Sequence, residues 1–118
     1  PNTADIDMTG VNGERLFVRG VSIGGGKVKI VRLNQIDVDF TGEYSTLIIS
    51  QIDRPGVVAH ITKVLSEREV NIAFMRLFRE EKGAKAFTVV ESDERIPDDV
   101  VEQIRENPLV SDVMLVQI

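Results

Sequence analysis

The sequence predicts an α/β protein of the α+β kind: a β-α-β-β-α-β unit over residues 45–118, with a four-stranded antiparallel sheet carrying two helices on one face, preceded by a small β meander over residues 1–44. Three observations point there. The texture changes near Tyr44, since most of the nine glycines fall before it and all of the helix-like patterning falls after it. Apolar residues alternate at a period of two in the first part, the signature of strands with one buried face. In the second part, two stretches place apolar residues at helical spacing, each between strand-like runs.

The first part holds two strand candidates, Arg15 to Ile23 and Lys27 to Leu33, joined across Gly24-Gly25-Gly26, a run that takes positive φ at little cost. In the second of these, strict alternation sets Val28 and Ile30 on one face and Lys29, Val31 and Leu33 on the other. After a turn at Asn34-Gln35, Ile36, Val38 and Phe40 alternate with Asp37 and Asp39. A meander this thin needs another layer against its apolar side.

In the second part, Thr46 to Ile52 reads as a strand broken by Asp53-Arg54-Pro55-Gly56. Val57, Val58, Ile61, Val64 and Leu65 then supply the apolar stripe of a helix. Ile72 to Phe78 is the next strand, with a turn at Glu81-Lys82-Gly83 and a hairpin partner from Ala84 to Glu91. Pro97 opens a second helix with Ile96, Val100, Val101 and Ile104 as its stripe. Asp98 and Asp99 lie in its first turn, where the helix dipole favours anions, and Asn107-Pro108 ends it. Val110 and the run from Val113 form the last strand. Two right-handed crossovers in this order give the ferredoxin-like arrangement. The middle strands are apolar on both sides, so the sheet face away from the helices expects cover, from the meander, from a second copy, or from both.

Composition narrows the function. With 14 basic against 19 acidic side chains, a net charge of −5 and no basic cluster, the chain is ill suited to holding nucleic acid through its phosphates. No apolar run approaches the twenty residues of a membrane span, so no membrane partner and a cytoplasmic location are expected. No cysteine is present and only one histidine, His60, so no cofactor is expected in this chain and a Cys-ligated metal cannot be built from it. His60 has no accompanying nucleophile or acid pair and reads as a boundary side chain. Gly24-Gly25-Gly26 lacks the Lys-Ser/Thr of a phosphate loop. Arg76 and Arg79 read as a solvated face.

One constellation carries chemistry. Gln51-Ile52-Asp53-Arg54-Pro55-Gly56-Val57 is a strand end, a tight loop and a helix start, where glycine permits close approach and the first-turn amides await an acceptor such as a carboxylate. Asn71, opening the next strand, offers both a donor and an acceptor and is expected to lie beside those amides.

This arrangement resembles the ACT domain, a small-molecule-sensing family that opens with a strand, Asp or Asn, Arg-Pro-Gly and a hydrophobic residue, then a helix and an Asn-Ile strand. The matching residues are Asp53-Arg54-Pro55-Gly56-Val57 and Val70-Asn71-Ile72-Ala73. With Val18 to Gly26 upstream and Ala73-Phe74-Met75-Arg76-Leu77 downstream, the chain is further similar, over about Thr9 to Ile118, to the C-terminal region of iron–sulfur-dependent L-serine dehydratase beta chains. The resemblance implies a regulatory, assembly-forming part of an enzyme converting L-serine to pyruvate and ammonia, inactive alone. It implies a 4Fe–4S cluster held by another chain or domain, an alpha-chain partner, and a homodimer or higher oligomer.

The resemblance also implies an effector site for a small amino acid such as L-serine, made of Gln51, Asp53, Pro55, Gly56, Val57, Asn71 and Ile72, between the first loop and helix of one domain and a partner's edge. Gly56 and Val57 would present amides to the carboxylate, while Asp53 and Asn71 would meet the ammonium. The serine-sensing domain of phosphoglycerate dehydrogenase has a His and an Asn where this chain has Gln51 and Asp53. The alternatives are a domain of that enzyme or of another amino-acid enzyme, which the extra β segment disfavours, and an assembly module without ligand.

Overall fold

The computed structural model describes residues 3–9, 15–25, 27–41, 45–79 and 84–116. Four strands form the first sheet, β1 (Thr3–Thr9), β2 (Arg15–Gly24), β3 (Lys27–Leu33) and β4 (Ile36–Thr41), in the meander order β1-β2-β3-β4 with antiparallel pairing throughout. The second part runs β5 (Ser45–Ile52), α1 (Val57–Glu67), β6 (Phe74–Arg79), β7 (Lys85–Ser92), α2 (Asp98–Arg105) and β8 (Val110–Val116). Its sheet order, β6-β7-β5-β8, is that of a split β-α-β pair, with β6 and β8 at the edges.

β1 was not anticipated. Ile6 alternates there with Asp5 and Asp7, and the strand pairs along its whole length with β2, Thr3 opposite Val21 and Thr9 opposite Arg15. The expected facing of β3 is also corrected: Leu33 is fully buried beside Ile30, not opposite to it. The register of β3 shifts between Ile30 and Arg32 against β4, and against β2 where Arg19 pairs Arg32 and Gly20 pairs Ile30. An irregularity of one residue inverts the alternation beyond it, which strict period-two counting misses. Gly24 and Gly25 have φ of +92° and +65°, as a tight connection requires. Gly26 and the expected turn at Glu81-Lys82-Gly83 lie outside the described residues.

Each face of the second sheet has its own core. Leu47 and Ile49 of β5, Val90 of β7 and Val113 of β8 meet Val57, Ile61, Val64 and Leu65 of α1 and Val100 and Ile104 of α2. On the opposite face, Ile48, Phe78, Phe87, Val89 and Met114 pack against Leu16, Val18, Ile30, Leu33, Val38 and Phe40 of the meander. The Phe40 and Phe78 rings lie 6.2 Å apart across this second interface. The meander is thus the cover that the doubly apolar middle strands called for, and the molecule has three layers: helices, sheet, sheet. β5, between both layers, is buried from Thr46 through Gln51, with the apolar run Leu47-Ile48-Ile49 at its centre.

Two details of the second part differ from the sequence expectation. Val58 lies off the buried stripe of α1 and is 36% exposed. β6 begins at Phe74 and not at Ile72, although Ala73 N–H already donates to Glu91 O at 2.8 Å.

Candidate functional site

The loop after β5 is built by backbone pairing. Ile52 N–H donates to Leu109 O and Asp53 N–H to Ala84 O, both at 2.8 Å, and Arg54 N–H turns back to Ile52 O at 2.9 Å. Two loop amides are therefore spent within the protein. Gly56 then turns the chain into α1 at φ +94° and ψ −22°, and its carbonyl accepts the first helical bond from His60 N–H at 2.9 Å. Glycine at the cap position offers no side-chain acceptor, no side-chain cap bond closes the helix, and no acidic residue stands in the first turn. The amides of that turn have no intrahelical partner and carry the positive end of the helix dipole.

Beside this turn lies a cleft of about 370 Å³ lined by Asp53, Arg54, Pro55, Gly56, Val58, Leu77 and Arg79. Its volume is at the small end of ordinary ligand sites. Arg79 reaches from β6 to Asp53, Nε to Oδ2 at 3.0 Å, and the Asp53 side chain is only 12% exposed. Of the residues expected at the site, Asp53, Pro55 and Gly56 line the cleft. The side chain of Val57 is wholly buried in the helix core and only its backbone belongs to the turn. Gln51 is also buried: its Oε1 accepts from Thr88 Oγ1 at 2.6 Å beneath the helices, and it does not line the cleft.

Asn71 and Ile72 lie elsewhere. They line a second hollow of about 420 Å³ with Thr62, Ser66, Glu69 and Val70, past the far end of α1. Eleven helical residues at a rise of 1.5 Å put about 16 Å between the two ends. Within one chain the side chain of Asn71 is therefore not beside the Gly56 turn, contrary to expectation. Asn71 N–H donates to Glu94 Oε1 at 3.4 Å. Proximity in motif descriptions hides this separation, because a helix intervenes.

Sequence reasoning passed over Val58, Leu77 and Arg79. Val58 looked like core, and Arg79 and Leu77 meet the loop only because β6 sits at the sheet edge, two strands from β5. His60 is structural: its Nε2 lies 3.1 Å from Gln103 O and 3.2 Å from Ile104 O, both acceptors, so this nitrogen carries the proton and ties α1 to the end of α2. Arg76 lies over the Phe78 ring at 4.6 Å. No group of His, Cys, Asp or Glu among the described residues is placed to hold a metal, and a chain without cysteine does not fit the ligation of an iron–sulfur cluster. Among the described residues no helix is long and apolar enough to cross a membrane.

A family model described as the ACT domain matches residues 45–109, from the start of β5 to the turn before β8. The chain belongs to the ACT domain family. Beyond the domain, it is 31% identical over 113 residues to the probable L-serine dehydratase, beta chain, of Bacillus subtilis (strain 168), covering 96% of this chain and 51% of that protein. It is 42% identical over 72 residues to the L-serine dehydratase, beta chain, of Peptoniphilus asaccharolyticus, covering 61% and 32%. Against the D-3-phosphoglycerate dehydrogenase of Methanocaldococcus jannaschii it is 29% identical over 113 residues, covering 96% and 22%. The chain thus spans about half or less of the length of these relatives. The last alignment also overturns the argument that the meander disfavours phosphoglycerate dehydrogenase, since it runs through nearly the whole chain.

Proposed function

We propose that this chain is the regulatory, amino-acid-sensing and oligomerising part of an L-serine dehydratase, with its effector site completed by a second copy. The dehydratase assignment is supported by the likeness to two L-serine dehydratase beta chains, and the observation that carries the shared site is the division of the expected site residues between the two ends of α1, the uncapped Gly56 turn at one end and Asn71 at the other. A ligand gripped by both needs two chains. β6 is an edge strand, with the Gly56 cleft beside its last residues, Leu77 and Arg79, and Asn71 just before its first. Two β6 strands paired antiparallel about a two-fold axis set the cleft of one copy against the Asn71 hollow of the other. Charge agrees with that pairing, since Arg54 and Arg79 line the cleft and Glu69 lines the hollow.

In this arrangement the first-turn amides and an arginine receive the amino acid's carboxylate, and the Asn71 side-chain carbonyl of the second copy receives its ammonium. Asp53 serves to hold Arg79 in place. Because the ligand binds across two chains, it stabilises the pair, and the pair reports ligand concentration to the enzyme. The catalytic chemistry, with its 4Fe–4S cluster, belongs to an alpha chain or domain with the cysteines that this chain lacks. Residues 1–44 are the end of the upstream dehydratase beta domain, residues 45–118 the ACT domain, and the location is cytoplasmic. The second reading, the regulatory end of a phosphoglycerate dehydrogenase, is favoured by the near-complete alignment to one such enzyme. Cysteine ligands for a cluster in the companion chain or domain separate the first reading from the second.

Complementation tests the shared site. Gly56→Asp and Asn71→Ala each abolish the calorimetric heat with L-amino acids, and mixing the two proteins restores about a quarter of the sites, because half of the pairs are mixed and each mixed pair holds one intact site. No recovery in a mixture shown by sedimentation to contain pairs overturns the shared site.

A further inference from the structure

Among the described residues, the large apolar side chains left well exposed are Ile6, Ile23, Val28, Val58 and Leu77. Two of these, Val58 on α1 and Leu77 on β6, are 36% and 38% exposed and face the same cleft from two different elements. Pro55 adds a third apolar wall. Single exposed apolar residues are ordinary, but a converging pair inside a cleft makes a surface that gains from an apolar occupant. The charged members of the lining sit around that surface. Arg54 is exposed, and Arg79 is held by Asp53 at 3.0 Å.

The polar groups that would greet a ligand's hydroxyl are committed elsewhere. Gln51, at the end of β5, is 1% exposed and closed against Thr88 at 2.6 Å. Asp53 is engaged by Arg79. A hydroxyl pressed against Val58 and Leu77 gives up water and finds no hydrogen-bond partner on those two walls. A methyl group there loses nothing.

We infer that the cleft selects an L-amino acid with an aliphatic side chain over a hydroxylated one, so that its effector is of the valine or leucine class and not serine. The inference rests on the reading of the cleft as an amino-acid site and adds its selectivity, which Val58 and Leu77 determine. The helix start and an arginine address the carboxylate, and the apolar walls address the side chain.

The test uses L-valine and L-threonine, which have the same shape and differ by a hydroxyl in place of a methyl. Calorimetric titration of the chain is expected to show valine binding roughly ten- to a hundredfold tighter than threonine, the range an apolar pocket achieves against an added hydroxyl. L-leucine is expected to bind more tightly than L-serine. Leu77→Thr, a change at an exposed edge position compatible with a strand, is expected to shrink the valine preference severalfold. Threonine or serine binding as tightly as its aliphatic counterpart overturns the selectivity while leaving the amino-acid site standing. A valine preference unchanged in both Leu77→Thr and Val58→Thr overturns the assignment of these two walls. Absence of binding by every amino acid overturns both the site and its selectivity.

Discussion

Gly56→Ala isolates the backbone contribution of the turn on which the site is built. At φ +94° and ψ −22° an L-residue other than glycine is strained, yet a Cβ added there meets no heavy atom within 4 Å. Steric collision is therefore excluded and the cost is conformational. Holding an alanine at positive φ costs about 1–2 kcal/mol, and the stiffer unfolded chain returns about 0.4–1 kcal/mol, leaving a net loss near 1 kcal/mol. Urea denaturation reads this directly. With a slope of about 2 kcal/mol per molar, the midpoint falls by roughly 0.5 M while the slope stays unchanged. Gly56→Asn, which tolerates positive φ, is expected to lose less than Gly56→Ala. A midpoint that is unchanged or raised by alanine refutes the reasoning, because the loop would then not hold this conformation in solution.

Phe87, the largest fully buried side chain among the described residues, lies in the core between the two sheets; Phe87→Ala is expected to cost about 3–5 kcal/mol and to lower a single unfolding transition, whereas two separate transitions would show that the sheets fold apart. Gln51→Leu leaves the buried hydroxyl of Thr88 without its acceptor and is expected to cost about 1–3 kcal/mol in denaturant unfolding, with amino-acid affinity unchanged; a large loss of affinity would return Gln51 to the ligand site. On the meander's outer face, the hydrogen bonds from Arg19 hold the Asp5 carboxyl below its ordinary value of 3.8. A depressed carboxyl stabilises the fold above the unfolded-state value and loses that contribution as pH falls through the folded one, so Asp5→Asn is expected to flatten the acid side of the stability profile below about pH 4. Superimposable profiles for parent and variant would dissociate this pair from acid unfolding.

Much of the fold was legible because burial is written as periodicity. The stripe Val57, Ile61, Val64 and Leu65 gave α1, and the apolar character of both sides of β6 and β7 announced a second covering layer. Three features escaped for physical reasons. β1 is an exposed edge strand whose alternation carries few apolar residues, so it lacks a strong core signal. The facing of Leu33 depends on a register irregularity, which is a property of two neighbouring strands and not of one segment. The site was legible as a turn, from Arg54-Pro55-Gly56, but its walls were not. Val58 continues the helical pattern of its neighbours yet falls just off the buried arc, and Leu77 and Arg79 enter the cleft only through the edge position of β6. The separation of Asn71 from Gly56 is a matter of helix length, visible once α1 is given its eleven residues.

The central claim is that one ligand touches both ends of α1 at once, through two chains. It is tested most directly by following the backbone amides of Gly56 and Val57 and the side-chain amide of Asn71 by nuclear magnetic resonance while L-valine is added. The account predicts that all three signals move along one saturation curve, with the same midpoint. Movement of the Gly56 and Val57 signals to saturation with the Asn71 side chain unmoved would contradict it.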